Sequence, residues 1–304
     1  MSVGTPEGLQ PQDLVITVLG TYVRPFGGGP VWSGGLVSLL GEFGFSHGAA
    51  RVALTRLVRR GLLERVRSGR LVHYRVTPRC DRLLAEGDGR IFSLGSARAT
   101  GDWWTVVWHQ IPEDQRLERS RLARRLRFLG FGSVQDSVWV SPHDHAGEVE
   151  KLVVDLDVAS VTAVFLASVG SMHGLPALVA RAWDLTGLVD RYEAFVAEFK
   201  PYMRRTVDDD AAFLVRTRLM HMFRGFPFLD PELPESLAPV SRPRDAAVAV
   251  FRSVFDRLAD GSQRHFDAVT VTAGADATAT ADATADATAD ATADEWRFTG
   301  TPRR

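Results

Sequence analysis

The fold of the N-terminal part of this 304-residue chain is decided by residues 46–76, which read SHGAARVALTRLVRRGLLERVRSGRLVHYRV. Apolar side chains recur at helical spacing through residues 47–60. Ser46 can cap the start of this helix, and Gly61 can end it. The residues after Gly61 form two extended runs joined by Ser68-Gly69, a pair that suits a tight hairpin turn. The stretch therefore predicts a helix followed by a β-hairpin.

Two further helices are predicted ahead of this stretch. The first covers residues 11–23, where Leu14, Val15, Val18, Leu19 and Tyr22 fall on one stripe. A segment rich in glycine and proline, residues 24–30, ends it. A short helix with Leu36, Val37, Leu39 and Leu40 follows. Three helices followed by a basic hairpin is the order of a winged helix-turn-helix domain, which we place at residues 11–95. Thr77-Pro78 begins a further helix of this domain, predicted to end at about Glu86.

The charge of this region is strongly positive, although the whole chain carries a formal net charge of only −1. Between residues 47 and 82, ten arginines stand against Glu64 and Asp81. A recognition helix needs polar side chains toward the major groove, and basic residues around it neutralise phosphates. The residues predicted to contact double-stranded operator DNA are Ser46, His47, Arg51, Thr55, Arg59, Arg67, Arg70 and His73. The alternative is a solvated basic surface on an ordinary domain.

The rest of the chain divides by its pattern into a middle domain, a helical domain and a tail. Residues 96–170 alternate as β-α-β-β-α-β, with the second helix over 144–155, which favours a ferredoxin-like sandwich. Strand signals fade over residues 171–268, which predict an all-helical domain with helices over 182–202, 208–223 and 244–258. Repeats of Ala-Thr-Ala-Asp make residues 269–304 a low-complexity tail that we expect to be disordered, and residues 1–10 a flexible leader. The predicted fold class is α+β.

Composition excludes several classes of protein. One cysteine, Cys80, cannot form an internal disulfide or build a thiolate metal site. The longest apolar stretches are far shorter than the roughly 20 residues that cross a bilayer, and no signal segment opens the chain. We therefore expect a cytoplasmic protein without a membrane partner.

Five stretches resemble the PaaX family, which comprises repressors of phenylacetate catabolism and related actinobacterial regulators. They read LGTYVRP (19–25), AARVALTRLVRRGLL (49–63), RLRFLGFG (125–132), SVWVSP (137–142) and RLMHMFRGFPFLDPELP (218–234). The resemblance implies a winged helix, a middle domain like the small ferredoxin-like CRISPR-associated nuclease, and a helical C-terminal domain. It also implies a homodimer that binds a palindromic operator and is released by an aryl- or acyl-CoA effector. The Ala-Thr-Ala-Asp tail departs from the family pattern.

The segment of residues 218–234, together with the adjacent Arg216, is the candidate for effector binding. An acyl-CoA pocket needs apolar walls for the acyl group and cations for the phosphates. The predicted contacts are Arg216, Arg218, Arg224 and Phe226. Core packing beside solvated arginines explains the same residues and stays open.

The middle domain admits an alternative function, a nucleic-acid-processing enzyme or an RNA-binding module. Nucleases of that type hold a metal with an aspartate at the end of the first strand, which here ends Trp108-His109-Gln110. The best remaining cluster, His143-Asp144-His145, lacks a recognisable third ligand. The chain has no P-loop or nucleophile elbow. We therefore predict a regulator and not an enzyme, with no catalytic residue, cofactor or metal.

Overall fold

The computed structural model describes residues 9–96, 103–168, 173–233, 237 and 240–271. They form the predicted α+β fold. It contains two antiparallel sheets, and helices precede and follow the strands of each sheet along the chain. Contacts divide the described residues into two compact units. Unit 1 takes those up to Gly87, those of 205–221 and those of 255–271, and unit 2 takes the described residues of 88–204 and 222–254.

Unit 1 begins with helices and a hairpin in the order that the sequence predicts. These are α1 (Pro11–Tyr22), β1 (Val31–Trp32), α2 (Ser33–Glu42), α3 (His47–Arg59), β2 (Leu63–Ser68) and β3 (Leu71–Val76). The three strands pair in the order β1-β3-β2, all antiparallel. Strand β1 was not predicted, because two residues are too few to show an alternating pattern.

Local chemistry explains the borders of α3 and of the hairpin. The hydroxyl of Ser46 accepts a hydrogen bond from the Ala49 amide at 3.2 Å, as an N-cap does. Gly61 follows α3 with φ of +65°, and Gly69 stands in the hairpin turn with φ of +60°. Both values lie in the left-handed region that glycine adopts without strain.

Helix α4 (Pro78–Ser93) corrects the predicted end of the first domain's last helix. The Gly87-Asp88-Gly89 sequence indicated an end near Glu86, but the helix continues through both glycines. A glycine inside a helix costs about 1 kcal/mol. The two glycines therefore cost about 2 kcal/mol. Burial of Ile91, which is 6% exposed, and of Leu94, which is 1% exposed, returns about 1.5–3 kcal/mol each, so the packing of this last turn outweighs the glycines.

Unit 2 contains the predicted β-α-β-β-α-β order of elements. They are β4 (Trp103–His109), α5 (Arg116–Phe128), β5 (Gly132–Gln135), β6 (Val138–Ser141), α6 (Ala146–Asp155) and β7 (Thr162–Ser168). The strand order is β5-β6-β4-β7, and each neighbouring pair is antiparallel. Helix α6 starts two residues later than predicted, because the carboxylate of Asp144 accepts the Ala146 amide at 3.0 Å and holds the preceding turn.

Among the described residues, five α-helices follow: α7 (Leu175–Ala182), α8 (Leu185–Phe199), α9 (Asp209–Phe223), α10 (Ser241–Arg257) and α11 (Ala259–Val271). The predicted helix from Ala182 to Tyr202 is wrong at its start, because Trp183 is extended and Asp184 caps α8 through the Gly187 amide at 3.0 Å. Helix α11 was not predicted and reaches three residues into the predicted tail. The remainder of that tail and residues 1–8 of the predicted leader lie outside the described residues. Within the described part, no helix is both long and apolar enough to span a membrane.

The core of unit 1 joins residues that are distant in sequence. Leu14, Leu36, Leu54 and many neighbours on α1, α2 and α3 pack with Phe213 of α9 and Phe266 of α11. Tyr22 stacks on Phe266 with ring centroids 5.3 Å apart. Helices α9 and α11 therefore complete the core beneath the basic hairpin and α3.

The core of unit 2 lies between its sheet and helices α5 and α6. Val107 and Trp139 of the sheet pack against Leu122, Leu126 and Val149 of the helices. On the opposite sheet face, Gly132 lies so close to Ala182 and Trp183 that an added Cβ would come within 2.6 Å of both. Helix α7 and Trp183 thus cover that face near β5, whereas Trp108 and Phe165, near the β7 edge, remain 45% and 50% exposed.

A candidate nucleic-acid interface

Helix α3 has one buried face and one open face. Ala50, Ala53, Leu54 and Leu57 are buried in the core of unit 1. The open face carries the side chains of His47, Arg51, Val52, Thr55, Arg56 and Arg59, all exposed. Five of the predicted DNA contacts, Ser46, His47, Arg51, Thr55 and Arg59, are therefore together on the solvent side of one helix.

The arginines of α3 have no partners within the described part of the chain. Arg51, Arg56 and Arg59 are exposed and make no hydrogen bond or ion pair there. Thr55 differs, since its hydroxyl donates to the Arg51 carbonyl at 3.0 Å and is left as an acceptor. The guanidinium groups are thus available to an external anion.

The two acids of the basic segment are already engaged. Glu64 pairs with Arg75 across the hairpin at 3.2 Å, and Asp81 pairs with Arg24 at 2.8 Å. Both pairs are partly or fully open to solvent, so each contributes little stability. Their consequence is electrostatic, because no acid of this segment remains to neutralise the arginines of α3 or of the hairpin.

The hairpin divides the remaining predicted contacts between its two faces. Arg67 lies opposite Val72, and Arg70 occupies the exposed turn beside Gly69. His73 pairs with Val66 and Trp32, so it lies on the other face of the hairpin from Arg67 and is half-buried. The Nδ1 atom of His73 is buried without a hydrogen-bond partner in the described chain. The structure therefore groups Arg67 and Arg70 near the tip and sets His73 apart from them.

The residues predicted to bind an effector fall in both units. Arg216 and Arg218 belong to unit 1, whereas Arg224 and Phe226 belong to unit 2. Arg216 is buried, and its Nε donates a hydrogen bond to the Phe255 carbonyl at 2.9 Å. Its guanidinium also lies 3.9 Å from the centroid of the Phe255 ring. Burial lowers the pKa of the Arg216 guanidinium. The same group lies 5.4 Å from the centroid of the Tyr22 ring.

Phe226 occupies a buried aromatic cluster of unit 2. Its ring stacks on Tyr192 with centroids 4.1 Å apart. The Tyr192 hydroxyl donates to Asp230 at 2.7 Å, and burial raises the pKa of this phenol, so it stays protonated. Asp230 also accepts two hydrogen bonds from Arg244, at 2.6 and 2.9 Å. This bidentate buried pair fixes the segment that follows Phe226.

The histidine cluster of the middle region is engaged in protein contacts. The Nε2 atom of His143 lies 3.0 Å from the Pro231 carbonyl, and Nδ1 of His145 lies 2.6 Å from Glu148. Burial lowers the pKa of His143 and of His109, which stands at the end of β4. Within the described ranges, no three histidine, cysteine, aspartate or glutamate side chains come together as metal ligands.

Sequence reasoning missed the contacts that attach α9 and α11 to α1. Tyr22 bonds Thr217 at 2.9 Å, and Gln263 donates to the Tyr22 carbonyl at 3.3 Å. These partners are separated by about two hundred residues, and one sequence contains no local signal for such pairs. The helical periodicity of residues 208–223 was the one visible indication that this segment had a face to bury.

Three family models match the chain. "PaaX-like protein" matches residues 10–80, "PaaX protein central Cas2-like domain" matches residues 97–179, and "PaaX-like protein C-terminal domain" matches residues 183–268. The transcriptional repressor PaaX of Escherichia coli (strain K12) is 29% identical over 244 residues, which cover 76% of this chain and 75% of that protein.

A solved structure is also similar. The uncharacterized protein Rv0674 from Mycobacterium tuberculosis is 24% identical, with a TM-score of 0.54 over 86% of this chain and 98% of that chain. At this level of identity the likeness concerns the fold alone.

Proposed function

The chain belongs to the PaaX family of transcriptional regulators, and we propose that it is a sequence-specific DNA-binding repressor of a catabolic operon. Membership of this family makes it a regulator and not an enzyme. The observation that carries the proposal is the open face of α3, whose arginines pair with no acid in the described part of the chain. A regulator of this kind acts in the cytoplasm, and that location is part of the proposal.

In this proposal residues 11–95 are a winged helix-turn-helix domain. The order α1, β1, α2, α3, β2, β3 supports it, with α3 as the recognition helix in the major groove. Ser46, His47 and Arg51 are at the N-terminal turns, where base edges are met, and Thr55 and Arg59 continue along the helix. The hairpin is the wing, so Arg67 and Arg70 reach the adjacent minor groove or backbone. His73 completes the predicted set.

We assign the middle residues, 96–170, to a ferredoxin-like domain. The strand order β5-β6-β4-β7 with two helices on one face supports this assignment. We further propose that the protein is a homodimer, because a two-fold operator is read by two recognition helices related by the same symmetry. Residues 171–268 form the third, helical domain of the proposal.

The proposed effector is an aryl- or acyl-CoA that releases the protein from DNA. Support comes from the sequence, where Arg216, Arg218, Arg224 and Phe226 fall within eleven consecutive residues, since guanidinium groups suit phosphates and an aromatic ring suits an acyl group. Thermal-shift screening against CoA thioesters tests it, with free CoA and the free acids as controls. A ligand that binds the folded protein must raise its Tm. No shift with any thioester contradicts this class of effector.

Arg51→Ala tests the recognition helix. A genomic or random-sequence selection first identifies the operator that the purified protein retains. If Arg51 meets a guanine edge, Arg51→Ala lowers the preference for that operator by about 1–3 kcal/mol while leaving non-specific binding nearly unchanged. Arg116→Ala, which removes an exposed arginine of α5, is the matched control.

The salt dependence of operator binding gives an independent readout. If six arginines meet phosphates, the log-log slope of affinity against salt is about −5, from roughly −0.9 per contact. A slope near zero contradicts DNA binding through this surface. A uniform loss over all sequences in Arg51→Ala reassigns Arg51 to a phosphate contact.

A further inference from the structure

The outer edge of the sheet in unit 2 is built for pairing with another strand. Strand β7 comes last in the order β5-β6-β4-β7, so only one of its edges is paired within the described residues. Its sequence, TAVFLAS, contains no charge and no proline, and its register with β4 is unbroken. Proteins usually protect an exposed edge strand with charges, prolines or bulges, because a bare edge pairs with other chains. Strand β7 has none of these protections.

Two large apolar side chains of β7 are open to solvent, one on each face of the sheet. Phe165 is 50% exposed on one face, and Leu166 is 45% exposed on the other. Trp108 of β4 is 45% exposed and lies opposite Ala163, on the same face as Phe165. Contiguous apolar side chains of this size at a surface indicate a contact with a partner.

The register also shows which backbone groups point to the open edge. The Gln110 amide donates to the Val161 carbonyl at 2.8 Å, so these two residues are a hydrogen-bonded position of the β4–β7 ladder. Such positions alternate in antiparallel pairs. The N–H and C=O groups of Ala163, Phe165 and Ala167 therefore face β4, while those of Thr162, Val164, Leu166 and Ser168 face outward.

We propose that two copies of this chain pair edge to edge through β7, antiparallel, about a two-fold axis at Phe165. This position of the axis is chosen because Phe165 is the midpoint of β7 and all seven residues then find a partner. Val164 exchanges hydrogen bonds with Leu166 of the second copy, and Thr162 with Ser168. Phe165 lies opposite its own counterpart.

The strand is self-complementary in this register. On one face the two Phe165 rings meet, and the flanking pairs of Ala163 with Ala167 leave room for them. On the other face the central pairs of Val164 with Leu166 are apolar, and the outer pairs of Thr162 with Ser168 are polar. A two-fold interface requires one surface to fit itself, and aromatic and branched cross-strand pairs stabilise sheets. A second copy is therefore the occupant that the strand fits.

This inference rests on the proposed function, since a dimer supplies the two recognition helices that a palindromic operator needs. It adds the location of the contact, which joins two four-stranded sheets into one of eight strands. The contact can be tested without DNA, so its failure and the failure of operator binding are separable.

A cysteine at the two-fold axis traps the proposed dimer. In this register Phe165 is a position without hydrogen bonds to the second copy, where Cα atoms are about 4.5 Å apart, within the range of a disulfide. Oxidised Phe165→Cys is expected to run largely as a covalent dimer. The native Cys80 is buried and gives little background. Val154→Cys, at a 67% exposed position of α6, is the control and should stay monomeric under denaturing conditions.

A charge at the edge is expected to separate the dimer. Leu166→Lys should raise the dimer Kd at least about tenfold in sedimentation equilibrium, because it places the protective charge that β7 lacks. Val154→Lys, which adds the same charge to α6, should leave the Kd unchanged. Far-UV circular dichroism of both variants verifies that they are folded.

The outcomes separate the two proposals. A wild-type protein that is monomeric at all concentrations, a Leu166→Lys variant that remains dimeric, or a Phe165→Cys variant that crosslinks no better than its control overturns pairing through β7. A dimer that crosslinks as expected but retains no DNA sequence overturns the proposed function and leaves the β7 contact standing.

Discussion

The hydroxyl of Tyr22 connects α1 to α9, two helices that are distant in sequence. It bonds Thr217 of α9 at 2.9 Å, and burial raises the pKa of the phenol, so the hydroxyl keeps its proton. Tyr22→Phe should lower the free energy of unfolding by about 1–2 kcal/mol, because Thr217 is left buried without this partner. Denaturant unfolding measures the change. Tyr202→Phe is the control, since the hydroxyl of Tyr202 makes no hydrogen bond to the described part of the chain, and equal losses in the two variants would contradict the role of Tyr22.

His143 makes the stability of unit 2 sensitive to acid. Burial lowers its pKa from the ordinary value of 6.5, and the neighbouring His145 and Arg90 act in the same direction. A base with a depressed folded pKa favours the neutral form in the native state. Its contribution to stability is therefore complete above about pH 6.5 and is lost as the pH falls through the folded pKa.

His143→Gln should reduce this acid-side loss, and the remainder is the part that His109 contributes, since burial lowers its pKa as well. Urea unfolding of unit 2, followed by tryptophan fluorescence at a series of pH values below 7, measures it. His47→Gln, which replaces an exposed histidine of unit 1, should leave the profile of the wild type. A wild-type stability that does not change below pH 6.5 would show that His143 does not contribute in this way.

At the level of single residues, the sequence predicted those features that depend only on neighbouring residues in the chain. The cap of Ser46 is confirmed, and the exposed arginines of α3 follow from the helical period once the buried stripe is known. The environment of Arg216 could not be predicted, because its carbonyl acceptor on Phe255 comes from another helix. The roles of the predicted DNA and effector contacts remain predictions.

Two glycines test the hairpin and α4 as elements. Gly69 has φ of +60° in the turn of the hairpin, so Gly69→Ala should destabilise the turn by about 1 kcal/mol and weaken operator binding. Gly89 lies inside α4 with open space around its Cα, so Gly89→Ala should instead stabilise the protein by about 0.5–1 kcal/mol. Thermal unfolding of both variants gives the two signs, and a gain in Gly69→Ala would argue against a strained turn.

Elements with a strong period of their own were predicted, and short or context-dependent ones were not. Helix α3 and the hairpin combine a cap, a period and turn residues within thirty-one positions. Strand β1 exists only because β3 pairs with it, and the last turn of α4 exists because Ile91 is buried. Helix α11 borders the low-complexity tail, whose composition hid the helical pattern of Phe266 and its neighbours.

At the scale of the whole molecule, the contacts of the C-terminal helices could not be predicted from the sequence. The sequence predicts one contiguous helical domain, and the domain boundaries remain a prediction. In the structure α11 and most of α9 contribute to unit 1, whereas α8 and most of α10 contribute to unit 2. The choice depends on packing between residues about two hundred positions apart, for which one sequence carries no pattern.

Phe266→Ala tests this arrangement. The ring is 4% exposed and stacks on Tyr22, so its loss should destabilise unit 1 by about 3–5 kcal/mol and weaken operator binding, although the residue is far in sequence from α3. Hydrogen exchange of α1 and α3 amides localises the effect. Val154→Ala, an exposed position of α6, is the control. Unchanged exchange in Phe266→Ala would show that α11 is dispensable to the DNA-binding unit.

The contribution of α11 to unit 1 has a consequence for how the protein is made. Synthesis runs from the N-terminus at about 5–20 residues per second, so the ribosome needs roughly 10 to 40 s to travel from Val76 to Phe266. During that interval the nascent chain contains the arginines of α3 and of the hairpin but lacks Phe266, whose ring completes the core of unit 1. A premature stop anywhere in between should therefore yield a fragment that is degraded rather than one that occupies the operator and competes with the finished repressor.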